Sequence, residues 1–338
     1  MRIALTALLA FVAGVLLMLW LPSHGHAVSP PATTIMATPG SAATASSTAD
    51  DGDDEDDEGN WPQQAPTPEQ VLYAQPKMVQ DELAKLGPRV PGKPNLYLVT
   101  FAGDGSEDVF RNEAEYAARL FRQRFGLSTH TLVLENNPAS LTTYPLAGWD
   151  NLEAALAGLY KVMQPDDILM LYVTTHGSDD HELLVDMDPL PLDQIGAQDL
   201  ADILDEHPFK WKVVVVNACY SGGFIPTLAT RGTLVLTSAR TDRSSFGCGT
   251  ESNLTYFGHA FLVDALNHTD NFLDAFNQAR TEIAQWEKHD QLTPSEPQSY
   301  VGDGIEDELA AWRKGIVPGP AVRFVTAPPA PASTAANP

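Results

Sequence analysis

The sequence predicts an α/β protein with a mostly parallel central sheet and helices on both faces. Three observations predict it. Residues 168–173 and 213–216 are unbroken apolar runs without helical period, the second all valine, as strands buried on both faces read. Between such runs lie segments whose apolar residues recur three or four apart, the pattern of a helix with one buried face. Strand and helix alternate from about residue 96 onward, as crossover connections in a parallel sheet require.

The elements follow in order. Residues 69–86 read as a peripheral helix and 96–101 as the first strand. The segment Ala102-Gly-Asp-Gly-Ser106 then leads into a helix over 107–125, whose stripe is Phe110, Ala114, Ala117 and Phe121. Residues 130–134 are a second strand. Asp150-x-x-Glu153 has the form of a capping box and should open a helix with the stripe Leu152, Leu156, Leu159 and Met163. Pro165-Asp-Asp167 precedes the strand from Ile168. A helix over 197–204, the valine strand, a strand over 234–237 and helices over 253–266 and 272–286 complete the body. No internal repeat is visible.

The two ends read differently. Residues 1–27 begin Met-Arg, run apolar for 19 residues from Ile3 to Leu21, and reach the small-x-small pair Gly25 and Ala27. This is the pattern of an export signal, and the run is also long enough for an uncleaved N-terminal anchor. Residues 28–68 are rich in Ala, Ser, Thr and Pro and carry eight acidic residues in the nine positions 50–58. Such a segment buries too little apolar surface to offset its ordering entropy, so a disordered linker is expected there, and a disordered tail over 327–338. The folded domain should span 69–326. The expected location is outside the cytoplasm: periplasmic, or held at the inner membrane and facing the periplasm, in a bacterial host. Membrane contact would be through the N-terminal segment alone.

Composition excludes some function classes. With a net charge of -24 and no cluster of Lys or Arg, the 338-residue chain is not built for nucleic acid. Its two cysteines, Cys219 and Cys248, make no disulfide framework and show no zinc-ligand spacing. Asp179, Asp180, His181 and Glu182 read as a solvated loop, and neither a metal nor another cofactor is expected.

The chemistry-bearing residues stand at strand ends. In open α/β sheets, ligands gather beyond the carboxyl ends of the strands. The valine strand ends in Asn217-Ala-Cys219-Tyr-Ser-Gly-Gly223, and the strand from Ile168 ends in Thr174-Thr-His176-Gly177. Cysteine is a strong nucleophile once a neighbour takes its proton, and histidine can do this and later protonate a leaving amine. The backbone N–H groups of Gly177 and Cys219 could form an oxyanion hole. Cys248 reads as a packed thiol, or as a reversible disulfide partner of Cys219.

Four segments carry a resemblance: Gly103-x-Gly-x-x-Asp-Val-Phe110; Asp167-Ile-Leu-x4-Thr-Thr-His-Gly-Ser178; Asn217-Ala-Cys-Tyr-Ser-Gly222; and Thr237-x6-Ser-Ser-Phe-Gly-Cys-Gly-x6-Tyr-Phe-Gly258. A fifth, Pro297-Gln-x-Tyr-Val-Gly302, resembles the closing segment of bacterial members. On these the chain resembles the legumain-like C13 cysteine peptidases. The resemblance implies a caspase-like three-layer sandwich and hydrolysis of peptide or protein substrates through a thioester. It makes Cys219 the nucleophile, His176 the catalytic histidine and Gly177 an oxyanion donor. Asp108 falls where an asparagine orients the histidine. Arg111, Ser244 and Ser245 match S1-pocket positions. His259 replaces the aspartate of the asparagine-specific enzymes, and Thr175 the aspartate before the histidine. An arginine beside a pocket lacking that aspartate would suit an acidic or polar P1 residue. A catalytically inactive binding module, and a transamidase that resolves the same acyl-enzyme with an amine, are the alternative readings. Oligomeric state is left open.

Overall fold

In a computed structural model of the chain, the structure describes residues 61–249 and 251–328. The signal or anchor expected over 1–27, most of the linker and the end of the tail lie outside them. Among the described residues no helix is long and apolar enough to cross a membrane.

Six strands form one sheet in the order β2-β1-β3-β6-β7-β8. They are β1 Leu96–Ala102, β2 Thr129–Glu135, β3 Ile168–Thr174, β6 Trp211–Asn217, β7 Thr233–Thr237 and β8 Gln298–Val301. The first five pair in parallel, and β8 closes the edge antiparallel to β7. A two-stranded hairpin, β4 Glu182–Leu183 with β5 Ile195–Gly196, stands apart. Parallel neighbours require crossovers, and the helices supply them. In chain order these are α1 Pro68–Ala84, α2 Asp108–Arg124, α3 Trp149–Val162, α4 Ala197–Asp205, α5 Ile225–Leu228, α6 Tyr256–Gly258, α7 Phe272–His289 and α8 Ile305–Arg313.

Alternation along each strand builds two cores. Leu98, Met170, Tyr172, Val213 and Val215 face one side and pack with Tyr116 and Phe121 of α2, Phe272 and Phe276 of α7, and Trp312 of α8. Val99, Phe101, Leu171, Val214 and Val216 face the other and pack with Val79 of α1, Leu152, Leu156 and Leu159 of α3, and Leu200 and Leu204 of α4. Both faces of the sheet are covered, which is why the valine run has no polar residue to break it. This is the caspase-like α/β sandwich.

Several boundaries differ from expectation for identifiable reasons. The helix expected from Asp150 starts at Trp149 with Gly148 as its N-cap. Glu153 accepts from the Trp149 indole at 2.6 Å, so no capping box forms there. The capping box that does form joins Thr67 and Gln70 at the head of α1. Residues 61–67, placed in the linker above, carry that cap and also Trp61, which packs on a cluster with Val71 and Leu141. The helix expected over 253–266 begins at Tyr256 and continues past Gly258 as a π-helical turn, His259–Ala265. The antiparallel β8 and the helix α8 were not expected as elements.

Candidate active site

Strands β3 and β6 end in register, with Thr174 opposite Asn217. His176 and Cys219 each stand two residues beyond that last pair, so adjacent strands deliver the imidazole and the thiol to one edge of the sheet. The two loops touch closely. The Thr175 N–H donates to the Asn217 carbonyl at 3.2 Å. A side chain at Gly177 would collide with the Cys219 carbonyl and press on the Ala218 methyl. Glycine is therefore required at 177 by the approach of two backbones. Neither the Gly177 nor the Cys219 N–H has a hydrogen-bond acceptor among the described residues. Both donors are left for an oxygen outside the chain.

The turn after Cys219 is sharp. Tyr220 adopts φ 56° and ψ 14°, the left-handed region that costs a residue with a Cβ about 1–2 kcal/mol. The following loop holds it there. The Tyr220 N–H donates to the Arg243 carbonyl at 2.7 Å. The Ser238 hydroxyl receives the Ala218 N–H and faces the Ala218 carbonyl, each at 3.0 Å. The Ala239 N–H donates to the Ser221 hydroxyl at 3.1 Å. The Ser245 N–H approaches the Cys219 sulfur at 3.4 Å, and the Ser245 hydroxyl lies 3.8 Å from it.

His176 faces carboxylates. Its Nε2 lies 3.5 Å from Asp104 Oδ2 and 3.4 Å from Glu107 Oε2. Phe110 meets the ring edge-on at 5.1 Å. Asp104 is almost fully buried and held by its surroundings: Oδ1 accepts from the Ser106 N–H at 2.8 Å, and residues 103 and 105 bond to the backbone of Asp186. Burial and the neighbouring Asp104 charge push the Asp186 carboxyl up. Asp104, Glu107 and His176 offer three donor atoms within 4.8 Å of one another, the one such group among the described residues that could hold a metal ion.

Beneath the nucleophile lies a buried carboxyl. Glu113 accepts from Tyr172 at 2.8 Å and from Asn217 at 2.5 Å on one oxygen, and from the Thr255 hydroxyl at 2.8 Å on the other. Its burial pushes its pKa up, against the pull of those hydrogen bonds. Gly258 passes so close that a side chain there would strike the Glu113 carboxyl.

The remaining sequence-predicted residues separate. Ser245 meets Cys219, and Ser244 precedes it on the same loop. Asp108 does not reach His176: it is exposed at the start of α2 and accepts from Asn137 at 2.9 Å. The carboxylates at the ring come one and four positions earlier. Arg111 is no open pocket wall, because it is buried, with Nε 3.0 Å from Glu115 and 3.7 Å from Glu135. His259 is half exposed, 3.6 Å from Asp264 and tilted over Trp286 at 5.3 Å, on the outer side of the π-helical turn. Both cysteines are free thiols. Cys248 packs against Ala102, Val109, Phe110 and Ala114, and burial, then the Cys219 charge, push its thiol up to about 11.

Asp104, Glu107, Glu113, Thr255 and Ser238 were not singled out from sequence. Glu113 had a signal: it lies three residues after Phe110 and four before Ala117, a charged residue on the apolar stripe of its helix. Asp104 sat inside the Gly103-x-Gly motif.

A doubly covered, mostly parallel sheet that brings a thiol, an imidazole and two free N–H donors to one edge defines a caspase-like protein with the elements of covalent acyl transfer. Residues 150–307, somewhat under half of the chain, match the family model described as the Peptidase C13 family. The match contains His176 and Cys219 and begins after Asp104, Glu107 and Glu113. No curated protein matches the chain.

Proposed function

We propose that the protein is a cysteine endopeptidase in which Cys219 attacks a peptide carbonyl and His176 moves the proton. The observation that supports this most is the placement of His176 and Cys219 two residues past a registered pair of parallel strands, with the free N–H groups of Gly177 and Cys219 beside them. In this mechanism His176 takes the thiol proton as sulfur bonds to the carbonyl carbon. The oxyanion forms between the two N–H donors, each worth on the order of 3 kcal/mol in the transition state. His176 then gives the proton to the departing amine, leaving a Cys219 thioester. Water, deprotonated by His176, hydrolyses it. Asp104 and Glu107, at the ring's Nε2, orient it, the part a carboxylate plays in a hydrolytic triad.

The thioester half is common to peptidases and transamidases, so the nucleophile that resolves it separates the two. Digestion of a peptide library with and without hydroxylamine tests both points. Carboxyl-ended products that disappear in Cys219→Ala support hydrolysis. Hydroxamates formed in place of nearly all acid products would show an amine-specific transferase, and equal turnover by Cys219→Ala would remove the catalytic assignment. Export through the N-terminal segment is part of the same proposal, and a reporter fused after residue 68 that is active only in the cytoplasm would overturn it.

A further inference from the structure

The loop that flanks the nucleophile carries two arginines in different states. Arg240 is neutralised: it bonds to Asp242 at 2.5 and 3.0 Å and to Glu296 at 2.5 Å. That pairing takes up the Asp242 carboxylate, the acidic group next to Arg243 in the chain. Arg243 makes no ion pair and no side-chain hydrogen bond to the described residues, and its Nε is enclosed without an acceptor. Its backbone is nevertheless fixed at the site. The Arg243 carbonyl receives the Tyr220 N–H immediately after Cys219, and two residues later Ser245 contacts the Cys219 sulfur.

An unpaired guanidinium, partly enclosed, on a loop rigidly attached to the nucleophile is an arrangement suited to a carboxylate. Guanidinium–carboxylate pairs are short, often two-pronged, and strongest where water is partly excluded. The other candidate cation, Arg111, is committed to Glu115 at 3.0 Å. The rest of the surroundings is acidic, with Asp104 and Glu107 at His176. In a chain of net charge -24, an arginine without an ion pair on the loop that contacts the thiol is a discriminating feature.

We propose that Arg243 is a substrate-binding residue that selects peptides with an Asp or Glu side chain next to the bond cleaved. This deepens the peptidase reading and rests on it. The test is binding, so that it does not depend on turnover. Full-length Cys219→Ala protein is titrated into fluorescein-labelled hexapeptides in which one Glu is moved through an alanine background, with Gln counterparts, and anisotropy is read.

One Glu position should bind about 10-fold tighter than its Gln counterpart, with the margin shrinking as salt rises. Adding Arg243→Gln should abolish the margin, Arg243→Lys should keep part of it, and Arg243→Glu should favour a Lys peptide at the same position. Arg240→Gln should leave the margin in place. A margin that survives Arg243→Gln, equal binding of Glu and Gln peptides, or no binding at any position would each overturn the proposal. Turnover by the Cys219 protein without acidic preference would remove Arg243 and leave the peptidase. A preference without turnover would do the reverse.

Discussion

The Asn217 amide donates to the Glu113 carboxyl at 2.5 Å, two residues before Cys219, and so ties the end of the nucleophile strand to α2. The same carboxyl collects Tyr172 from β3 and Thr255 from the turn before α6. Four segments therefore meet at one fully buried acid. Glu113→Gln keeps the shape and the acceptor oxygen shared by Tyr172 and Asn217, and should cost on the order of 1 kcal/mol. Glu113→Ala leaves the Tyr172, Asn217 and Thr255 donors unpaired in a dry site and opens a cavity. It should cost on the order of 3–5 kcal/mol, read as a fall in the urea midpoint at unchanged slope. Equal stability of the two variants would show that the carboxyl does not organise the site.

A second expectation concerns the carboxylates at His176. Both stand slightly beyond hydrogen-bond length, so they share the task of holding the ring. Asp104→Asn and Glu107→Gln should each lower kcat by roughly 10-fold with KM little changed, and the pair together by more. Asp108→Asn should leave kcat alone, since its partner is Asn137. Steady-state rates on one peptide substrate decide this, with thermal melts to show that the fold is intact.

The two thiols should differ in reactivity. With its pKa near 11, Cys248 is thiolate in only about one molecule in 3,000 at pH 7.5. Brief treatment with iodoacetamide at that pH should place the label on Cys219 and leave Cys248 unmodified, as peptide mass spectrometry would read. Cys248 labelling should appear only as the pH approaches 11. Rapid labelling of Cys248 at neutral pH would mean that its packing against Val109 and Phe110 opens readily.

The sheet and the two reactive residues were legible because each rests on a local pattern. A strand buried on both faces must be apolar throughout, so residues 168–173 and 213–216 announced themselves. Strand ends are where parallel sheets present side chains, so His176 and Cys219 followed. The pocket was less legible because it depends on which charged groups find one another across the fold. The resemblance made Arg111 a pocket residue, and nothing in the sequence singled out Arg243. Only the approach of Glu115 and Glu135 to one, and the commitment of Asp242 to Arg240 beside the other, separates them. Asp108 was chosen over Asp104 and Glu107 by position in a motif, and the bend before α2 decides which carboxylate turns inward. Strand β8 is four residues with alternating partial exposure, too short to show a period.

Glu135, at the end of β2, gives a pH dependence whose sign can be worked out. Its side chain is buried, and neither oxygen has a hydrogen-bond partner among the described residues. Burial, then the Glu115 charge, push its pKa from 4.5 up to about 8, with Arg111 at 3.7 Å opposing. Between pH 4.5 and 8 the folded chain therefore holds a proton that the unfolded chain has lost. The unfolded state binds fewer protons, so stability falls as pH rises through that window and levels off above 8. Glu135→Gln cannot ionise and should escape the fall. Wild type and variant should keep a constant stability difference below pH 4.5. The variant should gain on wild type by an amount on the order of 4 kcal/mol by pH 8.5, with no further change above it. Urea titrations at pH 4.5, 6, 7 and 8.5 give that difference directly. A gap that stays flat across the four would mean that Glu135 is ionised in the folded protein throughout, paired with Arg111 rather than protonated.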